Sequence, residues 1–181
     1  MITILVPIYK EKDNILNFVN KIDKILKNID HKVLFVDDNS NDGSINEINK
    51  IKEKNRNISY ILRNERDRDF TKSCLLGLDR INTKFVCLTD CDLQHDVNKL
   101  PEMINIIDSK NYDLLIGSRF IDKNTIIELD KSRYFQSKVG NLLCKIIGIN
   151  NVSDPLSGFF IIKTDLFKKL KSSINSSGFK I

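Results

Sequence analysis

The chain has 181 residues, which suits one domain with its own core and leaves little room for a second. Its hydrophobic fraction of 41% and net charge of +5 are ordinary for a globular protein, and the mild positive excess suits an anionic substrate, an acidic membrane surface or a solvated lysine-rich exterior. The sequence has no basic stripe interleaved with aromatic residues, so no nucleic-acid partner is predicted, and no apolar run reaches the ~18 residues that a membrane span requires.

Short apolar runs typical of β-strands alternate with amphipathic stretches along the N-terminal half. Strands are predicted at 2–8, 32–37, 58–63 and 84–89. Helices are predicted at 13–26 with Asp13 as N-cap, over the stretch that carries Ile45, Ile48 and Ile51, and near 70–81. This repetition predicts an α/β domain whose mostly parallel central sheet has helices on both faces.

The C-terminal half continues the alternation. Its predicted elements are a helix at 98–108, a strand at 112–120 that delivers Ser118 and Arg119, an amphipathic stretch at 132–147, a turn and strand at 154–163, and a short helix at 164–171. The chain contains no internal repeat, low-complexity segment or linker. A single domain over residues 1–181 is therefore predicted.

Polar residues gather where three of the predicted strands end. They are Tyr9 and Glu11 after the first strand, Asp37 and Asp38 after the second, and Asp90 and Asp92 after the fourth. Ligands of parallel α/β sheets bind at the carboxyl ends of the strands. We therefore expect these side chains to share one cleft.

The acidic pair Asp90 and Asp92 stands directly after a buried strand, where two like charges repel each other. Carboxylate oxygens are ligands that suit Mg²⁺ or Mn²⁺, and such a cation can hold a diphosphate and neutralise the charge that develops on a leaving nucleotide. Gln94 offers a further neutral oxygen. Two acids separated by one residue also occur as a solvated pair in a loop, so the pattern alone leaves both interpretations open.

The cysteines and histidines supply little further chemistry. Cys74, Cys87, Cys91 and Cys144 form no C-x-x-C pair, and without a secretory signal they are predicted to be reduced thiols. A zinc site on Cys91 and His95 would lack its third and fourth ligands. His31 is predicted to be a surface residue, and His95 is predicted to orient the acidic pair.

Five motifs together resemble the family 2 glycosyltransferases of the GT-A nucleotide-sugar-binding fold, and most of all their dolichyl- and polyprenyl-phosphate sugar transferase branch. The motifs are VPIYKEKDNI, FVDDNSNDGS, DCDLQHD, LLIGSRF and VSDPLSGFFIIK, and the resemblance runs over nearly all 181 residues. It implies an inverting hexosyltransferase that moves a sugar from a nucleotide-sugar donor of the GDP-mannose or UDP-glucose type to a polyprenyl or dolichyl phosphate, using Mg²⁺ or Mn²⁺.

The resemblance implies roles position by position. For the nucleotide-sugar it implies Pro7, Tyr9 and Glu11 at the nucleoside, Val36 and Asp38 at the base and ribose, Asp90, Cys91 and Asp92 at the metal and diphosphate, and Arg119 near the sugar diphosphate. It further implies Asp90, Asp92 and Gln94 as metal ligands, Asp92 and Arg119 as catalytic residues, and Arg133 and Ser137 at the phosphate of the acceptor.

Each of these positions also has a structural explanation. Pro7 and Val36 suit the core or a turn, Tyr9 the end of the sheet, Asp38 the cap of the following turn, and Arg133 the solvated face of a helix. A phosphate acceptor fits the lack of a histidine in a convincing base position, because a phosphate monoester is largely dianionic at neutral pH. Catalysis would then depend on positioning and on stabilisation of charge.

Two departures from the family pattern stand out. Cys91 occupies a position where the family more often has alanine, and the sequence stops at Ile181 within the G-F-K-I motif. The resemblance therefore implies a domain truncated at its C-terminal end. We expect it at the cytoplasmic face of a membrane, held there by its lipid substrate, and the sequence predicts no oligomeric state.

Two alternatives stay open. Enzymes of the haloacid dehalogenase type also place two such acids after a strand and use the first as nucleophile, but they usually have Thr or Val where this chain has Gln94. They also carry the motif on their first strand, not on the fourth. A truncated, non-catalytic domain that binds nucleotide or a protein partner is the second alternative.

Overall fold

The computed structural model describes residues 1–120, 139–142, 144–146, 148–149 and 151–174. Its strands are β1 (Ile2–Ile8), β2 (His31–Asp37), β3 (Ile58–Leu62), β4 (Phe85–Leu88), β5 (Leu114–Ile116) and β6 (Phe160–Lys163). Its helices are α1 (Lys12–Ile25), α2 (Ser44–Lys52), α3 (Phe70–Asp79), α4 (Leu100–Ser109) and α5 (Thr164–Leu170). Short 3₁₀ turns precede α4 and follow α5, and residues 139–142 and 144–146 are helical.

The strands form one sheet in the order β3-β2-β1-β4-β6-β5. β1 pairs in parallel with β2 and β4, β2 pairs in parallel with β3, and β6 is antiparallel to both of its neighbours. The predicted mostly parallel sheet is therefore confirmed. At the carboxyl end of β1, Ile8 pairs with Asp37, and Leu5 pairs with Leu88 at the end of β4.

Helices cover both faces of the sheet, as predicted, because successive side chains of each buried strand point to opposite faces. Ile4 and Val6 of β1 belong to one cluster of buried side chains together with Phe18 of α1. Leu5 belongs to a second cluster that includes Leu78 of α3. The apolar runs of the central strands are explained by this burial on both faces.

Two local predictions are wrong. His31 is only 7% exposed and is the first residue of β2, with its Nδ1 2.8 Å from the carbonyl oxygen of Ile29 and its Nε2 3.1 Å from Asp23 Oδ1. Because β2 begins one residue earlier than predicted, His31 shares the buried face of Val33. Asp13 lies in the first turn of α1, whose N-cap position is occupied by Glu11.

Gly77 allows α3 to lie close to the sheet. A β-carbon added at Gly77 would overlap Leu5 Cδ1 and would lie 2.8 Å from Val36 Cγ2. Both of these side chains are completely buried in the strands beneath the helix. The position of α3 against β1 and β2 therefore depends on the absence of a side chain here.

We predict that Gly77→Ala lowers the free energy of unfolding by about 1 kcal/mol. Alanine gains about 1 kcal/mol of helix propensity over glycine, but overpacking a rigid core costs about 1–3 kcal/mol. Urea unfolding measures the difference. Asn105→Ala, at an exposed position of α4, is the control and should be neutral or stabilising. A Gly77→Ala protein as stable as the wild type would contradict the close approach.

Candidate active site

A cleft of about 430 Å³ opens at the carboxyl ends of β1, β2 and β4. Its lining residues are Pro7, Ile8, Tyr9, Glu11, Asp38, Arg68, Asp69, Phe70, Ser73, Asp90, Cys91 and Asp92. The predicted convergence is thus confirmed as geometry for Tyr9, Glu11, Asp38, Asp90 and Asp92. It is wrong for Asp37, whose side chain is completely buried and accepts a hydrogen bond of 2.7 Å from the amide of Ser40. The binding roles of the lining residues stay predictions.

The acidic segment turns sharply after β4. The amide of Thr89 still donates to the carbonyl oxygen of Leu5, 3.2 Å away, and the chain then leaves the sheet. Cys91 points into the core, while Asp92 is exposed and accepts a hydrogen bond of 3.0 Å from the amide of Gln94. Leu93 between them has a positive φ of 59°, which lets the loop turn back on itself.

Negative charge dominates this part of the cleft. Burial raises the pKa of the Cys91 thiol, and the nearby carboxylates of Glu11, Asp92 and Asp90 raise it further. The thiol therefore stays protonated at neutral pH and is no candidate for a nucleophile or a base. The same field favours a cation at the mouth of the cleft.

Asp38 is anchored by Arg63, a residue that the sequence analysis did not single out. Arg63 is 3% exposed, and its Nε donates to Asp38 Oδ1 over 2.6 Å. The amide of Asp69 donates to the other carboxylate oxygen, Oδ2, over 2.9 Å. Both oxygens of Asp38 are thus occupied. The available signal was an arginine at the end of the predicted third strand, at the same edge of the sheet as the acids.

Arg63 also shapes the loop between β3 and α3. Its NH1 group donates to Glu65 Oε2 over 2.6 Å, and its NH2 group donates to the carbonyl oxygen of Asp67. This loop carries Arg68, whose guanidinium lies over the Tyr9 ring, 4.4 Å from the centroid. Arg68 and Tyr9 together form one wall of the cleft.

Arg119 pairs with Asp154, which is completely buried. The Nε and NH2 groups of Arg119 each donate to one carboxylate oxygen of Asp154 over 2.8 Å, and the backbone amide of Arg119 donates to Oδ2 over 3.0 Å. This hydrogen bonding raises the pKa of Arg119, so the guanidinium stays charged. Arg119 is not among the residues that line the cleft, and its predicted role at the sugar diphosphate stays a prediction.

Four further predicted site residues either do not line the cleft or lie outside the described residues. Val36 is buried beneath Gly77 of α3 and packs within the core. Gln94 is exposed in the loop after Asp92. Arg133 and Ser137, predicted to bind the phosphate of the acceptor, lie outside the described residues.

The acidic pair fits a divalent cation that shares its ligands with a substrate. Among the described residues, no group of three or more His, Cys, Asp or Glu side chains is arranged to hold a metal ion by itself. Mg²⁺ is usually bound by one or two carboxylates together with water and substrate phosphates. Asp90 and Asp92 match that pattern.

The sheet order and the mixed strand directions place the chain in the GT-A fold, which solved structures share. The mannosyltransferase PcManGT from Pyrobaculum calidifontis, solved with GDP-Man and Mn²⁺, superposes with a TM-score of 0.61 at 17% identity, over 93% of this chain and 46% of that one. TarS from S. aureus gives a TM-score of 0.64 at 19% identity, over 94% of this chain and 49% of that one.

The chain belongs to glycosyl transferase family 2, whose family model matches residues 3–171. It is similar to a dolichol-phosphate mannosyltransferase of Pyrococcus furiosus, with 24% identity over 99% of this chain and 50% of that protein. It is similar to the Saccharomyces cerevisiae protein of the same name, with 28% identity over 99% of this chain and 67% of that protein. The chain thus spans half to two thirds of these relatives, and the predicted family and enzyme class are confirmed at the level of the family.

We predict that Arg63→Met lowers the free energy of unfolding by about 3–5 kcal/mol, because it leaves the Asp38 carboxylate buried without its cation. Adding Asp38→Asn removes that uncompensated charge, so the double variant should be more stable than Arg63→Met alone. Urea unfolding of the four proteins gives the coupling energy. Strictly additive effects of the two substitutions would contradict a direct pair.

Proposed function

We propose that this domain transfers a sugar from a nucleotide-sugar donor, of the GDP-mannose or UDP-glucose type, to a polyprenyl or dolichyl phosphate with inversion at the anomeric carbon. The observation that carries the proposal is the convergence of Asp90 and Asp92 with Tyr9, Glu11 and Asp38 in one cleft. The similarity to proteins named dolichol-phosphate mannosyltransferase supports the acceptor. The superposition on a mannosyltransferase solved with GDP-Man and Mn²⁺ supports the donor class.

The donor is proposed to lie along the cleft from the first strand to the acidic loop. Tyr9 and Arg68 provide a flat wall and a cation beside Pro7 and Asp38, which suits a nucleoside. Asp90 and Asp92 would hold Mg²⁺ or Mn²⁺, which supplies Lewis-acid stabilisation of the diphosphate leaving group. Because Asp38 is already held by Arg63 and the Asp69 amide, it is preorganised and need not reorient for the ligand.

The proposed acceptor needs no general base, although carboxylates that could act as one, such as Glu11, line the cleft. Of the described residues that line it, none is a histidine, and the Cys91 thiol stays protonated. A sugar hydroxyl acceptor would require a base within hydrogen-bond reach, whereas a phosphate monoester is already largely dianionic at pH 7. We propose Arg119 for charge stabilisation near the sugar diphosphate, and Arg133 and Ser137 for the phosphate of the acceptor.

We predict that the protein binds one of GDP, UDP or their sugar conjugates in isothermal titration calorimetry with Mn²⁺. Asp92→Asn should abolish the part of the nucleotide affinity that depends on Mn²⁺. Asp92 is exposed, so the free energy of unfolding should change by less than about 0.5 kcal/mol. Asp96→Asn is the matched control, because it removes the same charge from the same loop and asparagine still caps the following turn.

Wild-type affinity in Asp92→Asn would contradict the metal assignment. Nucleotide binding without transfer to polyprenyl phosphate would favour the non-catalytic alternative.

We further propose that the domain works at the cytoplasmic face of a membrane, where a polyprenyl phosphate presents its headgroup. Among the described residues, no helix is both long and apolar enough to span a bilayer. Val139, Leu142 and Ile146 belong to the helical residues 139–142 and 144–146, have the spacing of one helix face, and are 41%, 59% and 72% exposed. The exposed Lys145 flanks this face. An apolar face with a flanking cation suits the surface of an anionic bilayer.

We predict that Ile146→Glu weakens binding to vesicles of phosphatidylcholine and phosphatidylglycerol by about fivefold or more. The change removes apolar area worth about 1 kcal/mol from the contact and adds a repelled charge. Co-sedimentation measures the bound fraction. Asn17→Glu on the exposed side of α1 is the control and adds the same charge elsewhere. Equal binding of both variants would contradict this face as the contact.

A further inference from the structure

His95 is held between the acidic loop and the segment that leads into β6. Its ring stacks on the ring of Phe159 with a centroid distance of 5.4 Å and an interplanar angle of 20°. Its Nε2 lies 3.3 Å from Asp90 Oδ2. The His95 side chain is 15% exposed, whereas the Asp90 side chain is 46% exposed.

Phe159, on which His95 stacks, is itself fixed by the strand it precedes. Its carbonyl oxygen accepts a hydrogen bond of 2.8 Å from the amide of Gly117, and its ring occupies the space where a side chain at Gly117 would lie. Ser157 Oγ donates to the carbonyl oxygen of Gly117 over 2.7 Å. The surface beneath the imidazole is therefore rigid and buried.

Gly158 leaves the contact between His95 and Asp90 unobstructed. A β-carbon added at Gly158 would lie 3.5 Å from His95 Nε2 and 3.9 Å from Asp90 Oδ2. These are ordinary van der Waals distances, so alanine fits but a branched side chain would enter the space of the contact. In the segment 157–159, Phe159 thus supports the imidazole ring, and Gly158 has no side chain that would separate His95 from Asp90.

We propose that His95 is a positioning residue, which fixes the Asp90 carboxylate in one orientation for the divalent cation and is itself oriented by Phe159. The inference rests on the proposed function, because it concerns the cation that Asp90 and Asp92 would hold. Two carboxylates separated by one residue repel each other, and an exposed aspartate has several rotamers. A ring nitrogen in polar contact with Asp90 limits that freedom before the cation arrives, as hydrogen-bond partners behind metal ligands generally do.

The test is titration of Mn²⁺ followed by electron paramagnetic resonance, with Mn²⁺ alone and then with GDP or UDP. His95→Phe keeps a ring to stack on Phe159 but removes the polar contact, and we expect the Mn²⁺ affinity to fall about tenfold or more. His95→Gln keeps an N–H donor but loses the ring that stacks on Phe159, so its Mn²⁺ affinity should lie between those of the wild type and His95→Phe. Nucleotide affinity in chelator should be the same in all three proteins.

A purely structural role for His95 would lower the free energy of unfolding and metal-free nucleotide binding in both variants, and would overturn the inference. Phe159→Leu provides a second route, because it preserves the Asp90 and His95 side chains but removes the stacking surface, and its Mn²⁺ affinity should also fall. Wild-type affinity for Mn²⁺ in His95→Phe would overturn the positioning role and leave the proposed function intact. No Mn²⁺ binding by the wild-type protein with either nucleotide would overturn both.

Discussion

The position of β1 between β2 and β4, parallel to both, is the constraint on which the site depends. Parallel neighbours end at the same edge of a sheet, so the loops after these three strands must emerge side by side. Glu11, Asp38 and Asp90 are far apart in sequence and come together for this reason alone. The cleft is therefore a consequence of strand order, and any change that shifts β1 against its neighbours changes all of its walls at once.

Bringing so many acids to one edge creates repulsion, and the structure separates the acids into two groups. Asp38 and Asp154 are buried, and each has an arginine as partner, Arg63 and Arg119 respectively. A buried carboxylate without such a partner would be strongly destabilising. Asp90 and Asp92 are more exposed and have no arginine in contact among the described residues. Asp37 is an exception, because it is completely buried and among the described residues no cation contacts it; only its Oδ1 accepts a hydrogen bond, over 2.7 Å from the amide of Ser40. Of the two aspartates after β4 and the two paired with arginine, Asp90 and Asp92 are the carboxylates that a ligand can reach.

The fold and the meeting of the strand ends could be predicted because both follow from local patterns. Apolar periodicity marks the strands, and the connections between parallel strands then fix which ends meet. The ion pairs could not be predicted in this way. Arg63 is 25 residues from Asp38, and Arg119 is 35 residues from Asp154, so each pairing depends on side-chain directions that periodicity does not encode. His31 failed for a different reason: the strand was predicted to begin at residue 32, and the additional residue 31 lies two positions before Val33 and therefore on the same buried face.

The segment 154–159 does not line the cleft, but its side chains support groups that belong to the proposed site. Asp154 holds Arg119, Ser157 holds the backbone at Gly117, and Phe159 supports the ring of His95. Asp154 and Ser157 thus contact the segment after β5 that carries Arg119, and Phe159 contacts the loop that carries the acidic pair. Because β6 is antiparallel to both β4 and β5, its N-terminal end lies between the carboxyl ends of these two strands. The antiparallel direction of β6 in the described sheet therefore places the segment 154–159 at the same edge as the acids that follow the parallel strands.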